Sequence, residues 1–167
     1  MSANLYHGIY RGRCENDIDT EGRGRILVSV ADVGGNSILS WATPCLPVSG
    51  MNMGVFSVPP KGSGVWVQFE RGDTDFPVWL GGYFARGEAP ALAQNVPPGV
   101  SGITMQTTFG NGLVINDKPG GGILIQTAGG SKIEITDMGI TISSRDGAEI
   151  KLAAGTVSIN NNHLTIT

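Results

Sequence analysis

Along residues 102–167 the apolar side chains come in pairs two positions apart: Ile103/Met105, Leu113/Ile115, Ile123/Ile125, Ile133/Ile135, Ile140/Ile142, Ile150/Leu152, Val157/Ile159 and Leu164/Ile166. Polar residues stand between and beside them, as Lys132, Glu134 and Thr136 flank Ile133 and Ile135. A spacing of two puts both members of a pair on one face of an extended strand, so each pair predicts one short strand. Successive pairs begin ten, ten, ten, seven, ten, seven and seven residues apart. The corners between them are Gly110-Asn111-Gly112, Gly120-Gly121-Gly122, Gly129-Gly130, Gly139, Gly147, Gly155 and Asn160-Asn161-Asn162. This is an internal repeat of strands and corners.

One chain built this way lacks the bulk for a core of its own. After Phe109 there is no aromatic residue, and narrow rows of Ile, Leu and Val suit an axis to which several chains each contribute a wall. The candidates for packing along such an axis are Leu113, Ile115, Ile133, Ile135, Ile140, Ile142, Ile150, Leu152, Val157, Ile159, Leu164 and Ile166. A single-chain parallel β-helix is the alternative, but with rungs of more than about 20 residues it would make only about three thin turns. The outward Lys132/Glu134 and Glu149/Lys151 predict cross-strand ion pairs. Exposed pairs contribute only about 0–1 kcal/mol each, so axial burial and hydrogen bonding must supply the stability.

Residues 1–84 follow a different pattern. Strand-like runs fall at 5–11, 24–33, 38–42, 64–70 and 77–84, separated by turn signals such as Gly34-Gly35-Asn36 and Arg71-Gly72-Asp73. Val65, Val67 and Phe69 alternate with Trp66 and Gln68, which predicts a strand with one face inside a small barrel. Five strands in about 80 residues without an amphipathic helix fit the OB type. Residues 85–101, rich in Ala, Pro and Gly, read as an extended linker. The resulting division is 1–84 barrel, 85–101 linker and 102–167 needle, in an all-β chain.

Composition sharpens this. Glycine is frequent, 26 of 167 residues, without a collagen period, as expected for many corners. Only 15% of residues are charged and the net charge is -3, which argues against a nucleic-acid partner. No apolar run approaches the roughly 18 residues of a spanning helix. The start, MSANLYHGIYRGR, has no signal-peptide core, which predicts synthesis in the cytoplasm. Cys14 and Cys45 are then expected as reduced thiols.

The stretches GRILVSVADV (24–33), SWATPCLPVSG (40–50) and MGVFSVPPKGSGVWVQFERGDTDFPVWLGGYF (53–84), followed by the strand-and-glycine repeat, resemble the baseplate assembly protein V family and the homologous part of VgrG proteins. These are central spikes of contractile phage tails, R-type pyocins and related injection systems. The resemblance implies an OB-fold collar and a homotrimeric, intertwined triple-stranded β-helix that mechanically pierces a target membrane. Some relatives carry a lysozyme domain between barrel and needle, for which 85–101 is too short. VgrG proteins begin with a hub domain. Here the barrel starts near residue 4, so the hub is expected to be a separate baseplate protein. The last strand, with Leu164, Thr165, Ile166 and Thr167, is the expected platform for a separate PAAR-repeat tip.

Candidate chemistry is sparse. Several phage spikes end in a His-x-His motif that binds iron on the three-fold axis. Here only His163 is present, the one candidate metal ligand, and its parity opposes the inward Leu164 and Ile166. His7 has no second histidine nearby. Asp17, Asp19 and Glu21, and separately Glu70, Asp73 and Asp75, lie in loops where carboxylates are solvated or hydrogen-bond locally. Gly120-Gly121-Gly122 after Lys118 lacks the Gly-Lys-Ser/Thr ending of a phosphate loop. Trp41, Trp66 and Trp79 are expected in the barrel core or at a hub contact rather than as a base-stacking platform. No catalytic set and no cofactor site emerges, and a non-enzymatic protein is expected. The competing reading is a β-helical adhesion or sugar-binding tail-fibre module. It would need an aromatic-rich outer groove, and residues 110–167 contain no Phe, Tyr or Trp.

Overall fold

A computed structural model of the chain describes residues 5–35, 37–160 and 163–166, with only the backbone of Thr165 and Ile166. The chain divides into two units, Met1–Gly87 and Glu88–Thr167.

The first unit is a closed five-stranded barrel. Its strands are β1 (Tyr10–Asn16), β2 (Ile26–Ser29), β3 (Ile38–Pro44), β6 (Gly64–Phe69) and β7 (Pro77–Tyr83), in the order β1-β2-β3-β7-β6. All neighbours are antiparallel except β3 and β7, which run parallel through Thr43–Val78 and Pro44–Trp79. A short helix, α1 (Ala31–Gly34), turns β2 into β3. A two-residue-stranded hairpin, β4 (Ser49–Gly50) and β5 (Met53–Gly54), interrupts the connection from β3 to β6. Register shifts between Cys14 and Asn16 and between Trp66 and Val67 bend the strands enough to close so small a barrel.

The alternation expected for β6 is present. Val65 and Val67 are fully buried and Phe69 nearly so, while Trp66 and Gln68 face outward. These pack with Cys14, Ile26, Val28, Val30, Ala42 and Trp79 in one apolar core. The Trp79 indole N–H donates to the Gly24 carbonyl at 3.1 Å, so its one polar atom is satisfied inside. Two strands differ from the expected runs by more than two residues at an end. The first begins at Tyr10 and continues to Asn16, because 5–9 is held apart by the Tyr6 N–H donating to Gly72 at 2.8 Å. The second stops at Ser29, where the Val30 carbonyl accepts from Val33 and Gly34 and starts α1.

The second unit is one eight-stranded antiparallel sheet in which every strand neighbours its predecessor and successor. The strands are β8 (Gly102–Gln106), β9 (Gly112–Asn116), β10 (Gly122–Gln126), β11 (Lys132–Thr136), β12 (Gly139–Ser143), β13 (Glu149–Ala153), β14 (Thr156–Ile159) and β15 (Leu164–Ile166). Each contains one predicted apolar pair. The path is a meander, and the ladders on both sides of β9 through β14 are made within the chain.

The segment read as a linker is divided between the units, with 88–101 belonging to the second. The Leu92 N–H donates to the Gln106 side-chain carbonyl at 2.9 Å, and Lys118 Nζ donates to the Asn95 carbonyl at 3.4 Å. Leu92 lies over Gly112 and Val96 over Gly102. Val114, between those glycines in the register, is only 4% exposed. Apolar Leu92 and Val96 thus cover the one strongly apolar patch on that face of the sheet.

Candidate functional site

The register lines the apolar pairs into two continuous columns on one face of the sheet. One runs Ile103, Ile115, Ile123, Ile135, Ile140, Leu152, Val157; the other runs Met105, Leu113, Ile125, Ile133, Ile142, Ile150, Ile159, Leu164. Ile166 continues the first column by its backbone register. All the predicted axis residues therefore fall in these columns, joined by Ile103, Met105, Ile123 and Ile125. In one chain this face lies open: Ile125 is 48% exposed and Ile142 43%. Of the predicted tip platform, Leu164 is exposed in the edge strand and Thr167 lies outside the described residues.

The opposite face reads Thr104, Val114, Leu124, Glu134, Thr141, Lys151, Ser158 along its centre. It is apolar under the 88–101 segment and polar beyond. Lys132 and Glu134 pair there at 2.8 Å. The pair lies along one strand rather than across two, because residues two apart share a face. Such polarity marks the side left to water.

Both the corners and the strands repeat. Thr107, Thr127 and Ser144 each open a turn in which their N–H donates to the carbonyl four residues on, at 2.9, 2.9 and 2.8 Å. Side chains then join one corner to the next on the same edge. Asn111 Oδ1 accepts from the Ala128 N–H at 2.9 Å, Ser131 Oγ from Arg145 at 3.2 Å, and Asn160 Oδ1 from Glu149 at 2.9 Å. These bonds satisfy corner N–H groups that the strand ladders cannot reach, and they run the length of the sheet. In the sequence Asn111 and Asn160 mark only corners, because their bonding partners lie 17 and 11 residues away.

The candidate chemical residues do not converge. His7 and His163 are exposed and belong to different units. Among the described residues no three His, Cys, Asp or Glu side chains gather as metal ligands. Asp73 Oδ1 accepts from the Asp75 N–H at 3.0 Å, a local turn bond. Gly120-Gly121-Gly122 forms the corner between β9 and β10. Both cysteines are free; burial pushes the Cys14 thiol up to about 11, while Cys45 is exposed. No helix among the described residues is long and apolar enough to cross a membrane.

Of the tryptophans, only Trp79 is in the core. Trp66 and Tyr83 hold the Arg11 guanidinium at 5.4 and 5.1 Å on the outer wall, and Arg25 lies 5.5 Å over Trp41. Two of the three rings are thus engaged by the barrel's own cations. Asp19 and Glu21 are structural. The Asp19 carboxylate, 4% exposed, meets Arg25 at 2.7 Å and accepts from the backbone N–H groups of Glu21, Arg23 and Arg25.

The Arg25 side-chain bond, with those backbone donors, holds Asp19 far below the usual carboxylate range. The unfolded chain, with its ordinary value of about 3.9, then takes up the proton before the folded one. This contribution to barrel stability is complete above about pH 5 and is lost as the pH falls from there through the folded value. Thermal unfolding of the barrel is expected to show a steeper acid decline in wild type than in Asp19→Asn; parallel curves would remove Asp19 from this role.

Comparison with known families matches both units in the same order. Residues 10–84 match the type VI secretion system/phage-baseplate injector OB domain. Residues 102–165 match the phage baseplate V C-terminal trimerisation domain. No curated protein matches the chain.

Proposed function

This chain belongs to the phage baseplate V family of spike proteins, and from that premise we propose that it is the central spike of a contractile injection machine. Its role is mechanical and non-enzymatic: a homotrimer, assembled into a tail baseplate and mounted on a separate hub protein, transmits tail contraction to the envelope of a target cell. The observation that carries the reading is the double apolar column along one whole face of the C-terminal sheet. An antiparallel sheet with one apolar face is stable in water only when that face is covered. Three copies meeting by these faces form a three-walled shaft, each wall the meander of one chain, with the polar faces outside. This differs from the intertwined winding that the family resemblance implied.

Eight strands stacked about 4.8 Å apart give a shaft on the order of 40 Å long, comparable to a bilayer of about 40–45 Å. The corner-to-corner hydrogen bonds lie along the direction of thrust and oppose shear between strands. The edge strand β15, paired only with β14 among the described residues, is where a PAAR-repeat tip would add its own backbone hydrogen bonds. Deleting the coding sequence in a producing strain is expected to abolish injection, with restoration by the full chain and antibody labelling at the baseplate. Particles that inject normally without the protein would overturn the reading.

A further inference from the structure

We propose that the outer wall formed by β1, β6 and β7 is a docking site for an extended acidic segment of another protein, one whose carboxylates stand two residues apart. This goes beyond the mechanical role and concerns the barrel alone. Alternation along β1 turns Gly12 and Cys14 inward and sends Arg11 and Arg13 outward, where both are exposed. Across from them on β6 stand Trp66 and Gly64. Residues 10–14, 64–69 and 77–83, which build this wall, contain no carboxylate. Glu15, the next outward residue of β1, already accepts from the Ser29 hydroxyl at 2.6 Å. No ion pair among the described residues engages either arginine. The wall is also ordered before any partner arrives. The Trp66 and Tyr83 rings, 5.1 Å apart, both hold the Arg11 guanidinium, and the Tyr83 hydroxyl donates to the Gly12 carbonyl at 3.4 Å. The Arg13 guanidinium lies against Gly62, beside Lys61. A guanidinium held in this way loses less freedom on binding, and its planar fork suits a carboxylate.

The occupant follows from spacing and charge. A rise of about 3.3 Å per residue sets the starts of the two arginine side chains about 7 Å apart, and carboxylates two residues apart on an extended peptide repeat at the same interval. Arginine clusters recognise acidic motifs in this way. A second copy of this chain does not supply the segment. Its one alternating acidic run is Asp17, Asp19 and Glu21, and there Asp19 and Glu21 are already bound to Arg25. Asp73 and Asp75 are folded into a turn by the Asp75 N–H donating to Asp73. Nucleic acid fits poorly as well. Residues 1–87 carry seven basic and eight acidic side chains, without the basic surplus that a polyphosphate needs. The ring faces that would stack bases are taken by Arg11.

The test uses the purified full-length protein and a dansyl-labelled peptide of alternating Glu and Ser, read by fluorescence anisotropy. The expected result is binding at low salt that weakens as salt is added. The double variant Arg11→Gln, Arg13→Gln should bind about tenfold more weakly at unchanged mass and melting temperature. Arg13→Gln alone, outside the ring cluster, should show part of the same loss and keeps the test valid if removing Arg11 disturbs Trp66 and Tyr83. Arg71→Gln, in the turn between β6 and β7, should bind as wild type does. A peptide of the same composition with its Glu residues contiguous should bind more weakly than the alternating one. No binding at low salt, equal affinity for the double variant, equal affinity for the two peptides, or tighter binding of an oligothymidylate of equal charge would each overturn the docking site. Each of these leaves the spike reading standing, which injection by the deletion strain decides separately.

Discussion

Ile135→Asp is expected to abolish the trimer. Ile135 lies in one of the two apolar columns, opposite Ile123 and Ile140 on the neighbouring strands. Three symmetry-related carboxylates would enter a narrow apolar interior without a counter-ion. Taking one unpaired ion out of water costs several kcal/mol even after relaxation. A half-exposed isoleucine gains only about 1 kcal/mol on burial, so the substitution outweighs what several neighbouring rows contribute. The mass in solution should fall from three times 17.4 kDa toward 17.4 kDa, or the protein should aggregate through its exposed columns. Thr141→Asp is the parity control. It lies on the opposite face between Glu134 and Lys151, where a carboxylate stays in water beside one charge of each sign, and the trimer should survive. Equal effects of the two substitutions would refute the assignment of faces.

Gly139→Ala is expected to cause a large stability loss for the addition of a single methyl group. Gly139 enters β12 at φ 137°, and an added Cβ would fall on the carbonyl oxygen of Leu152 with the Ala153 Cβ only 3.1 Å away. The oxygen is backbone and cannot rotate aside. A non-glycine residue in a sparsely populated backbone region costs about 1–3 kcal/mol, before the clash is counted. For a unit of this size, 1 kcal/mol shifts the melting temperature by about 4–8 °C, so a drop of more than about 10 °C is expected at fixed protein concentration. Gly130→Ala separates the two contributions. Gly130 also has positive φ, 97°, but an added Cβ there meets nothing within 4 Å, and only the smaller conformational cost should appear. Similar shifts for both variants would mean that β12 and β13 can separate freely at this corner.

The repeat was legible in the sequence because its signal is local. A pair two apart on a short strand needs no knowledge of the neighbours, and all eight pairs fall within strands β8–β15. Their convergence on one face followed from the same parity. The path between them did not, because a corner of two to five residues permits either a meander or a winding around other chains. The register, such as Ile135 opposite Ile140, shows the meander within one chain. In the barrel, β6 announced itself through Val65, Val67 and Phe69. The start of β1 was hidden because its inward positions are Gly12 and Cys14, which contribute no apolar alternation. Residues 88–101 read as a linker because the partners of Leu92 and Val96 are the glycines of strands still ahead in the chain. Likewise, nothing local shows that Asn111 bonds to Ala128, seventeen residues on.

The central claim is that the double apolar column is covered by two further copies of the chain. Light scattering on the purified full-length protein, coupled to size exclusion, tests it most directly. A mass near three times 17.4 kDa, unchanged over a tenfold dilution, is predicted; a stable, soluble monomer of 17.4 kDa with its columns exposed would contradict it.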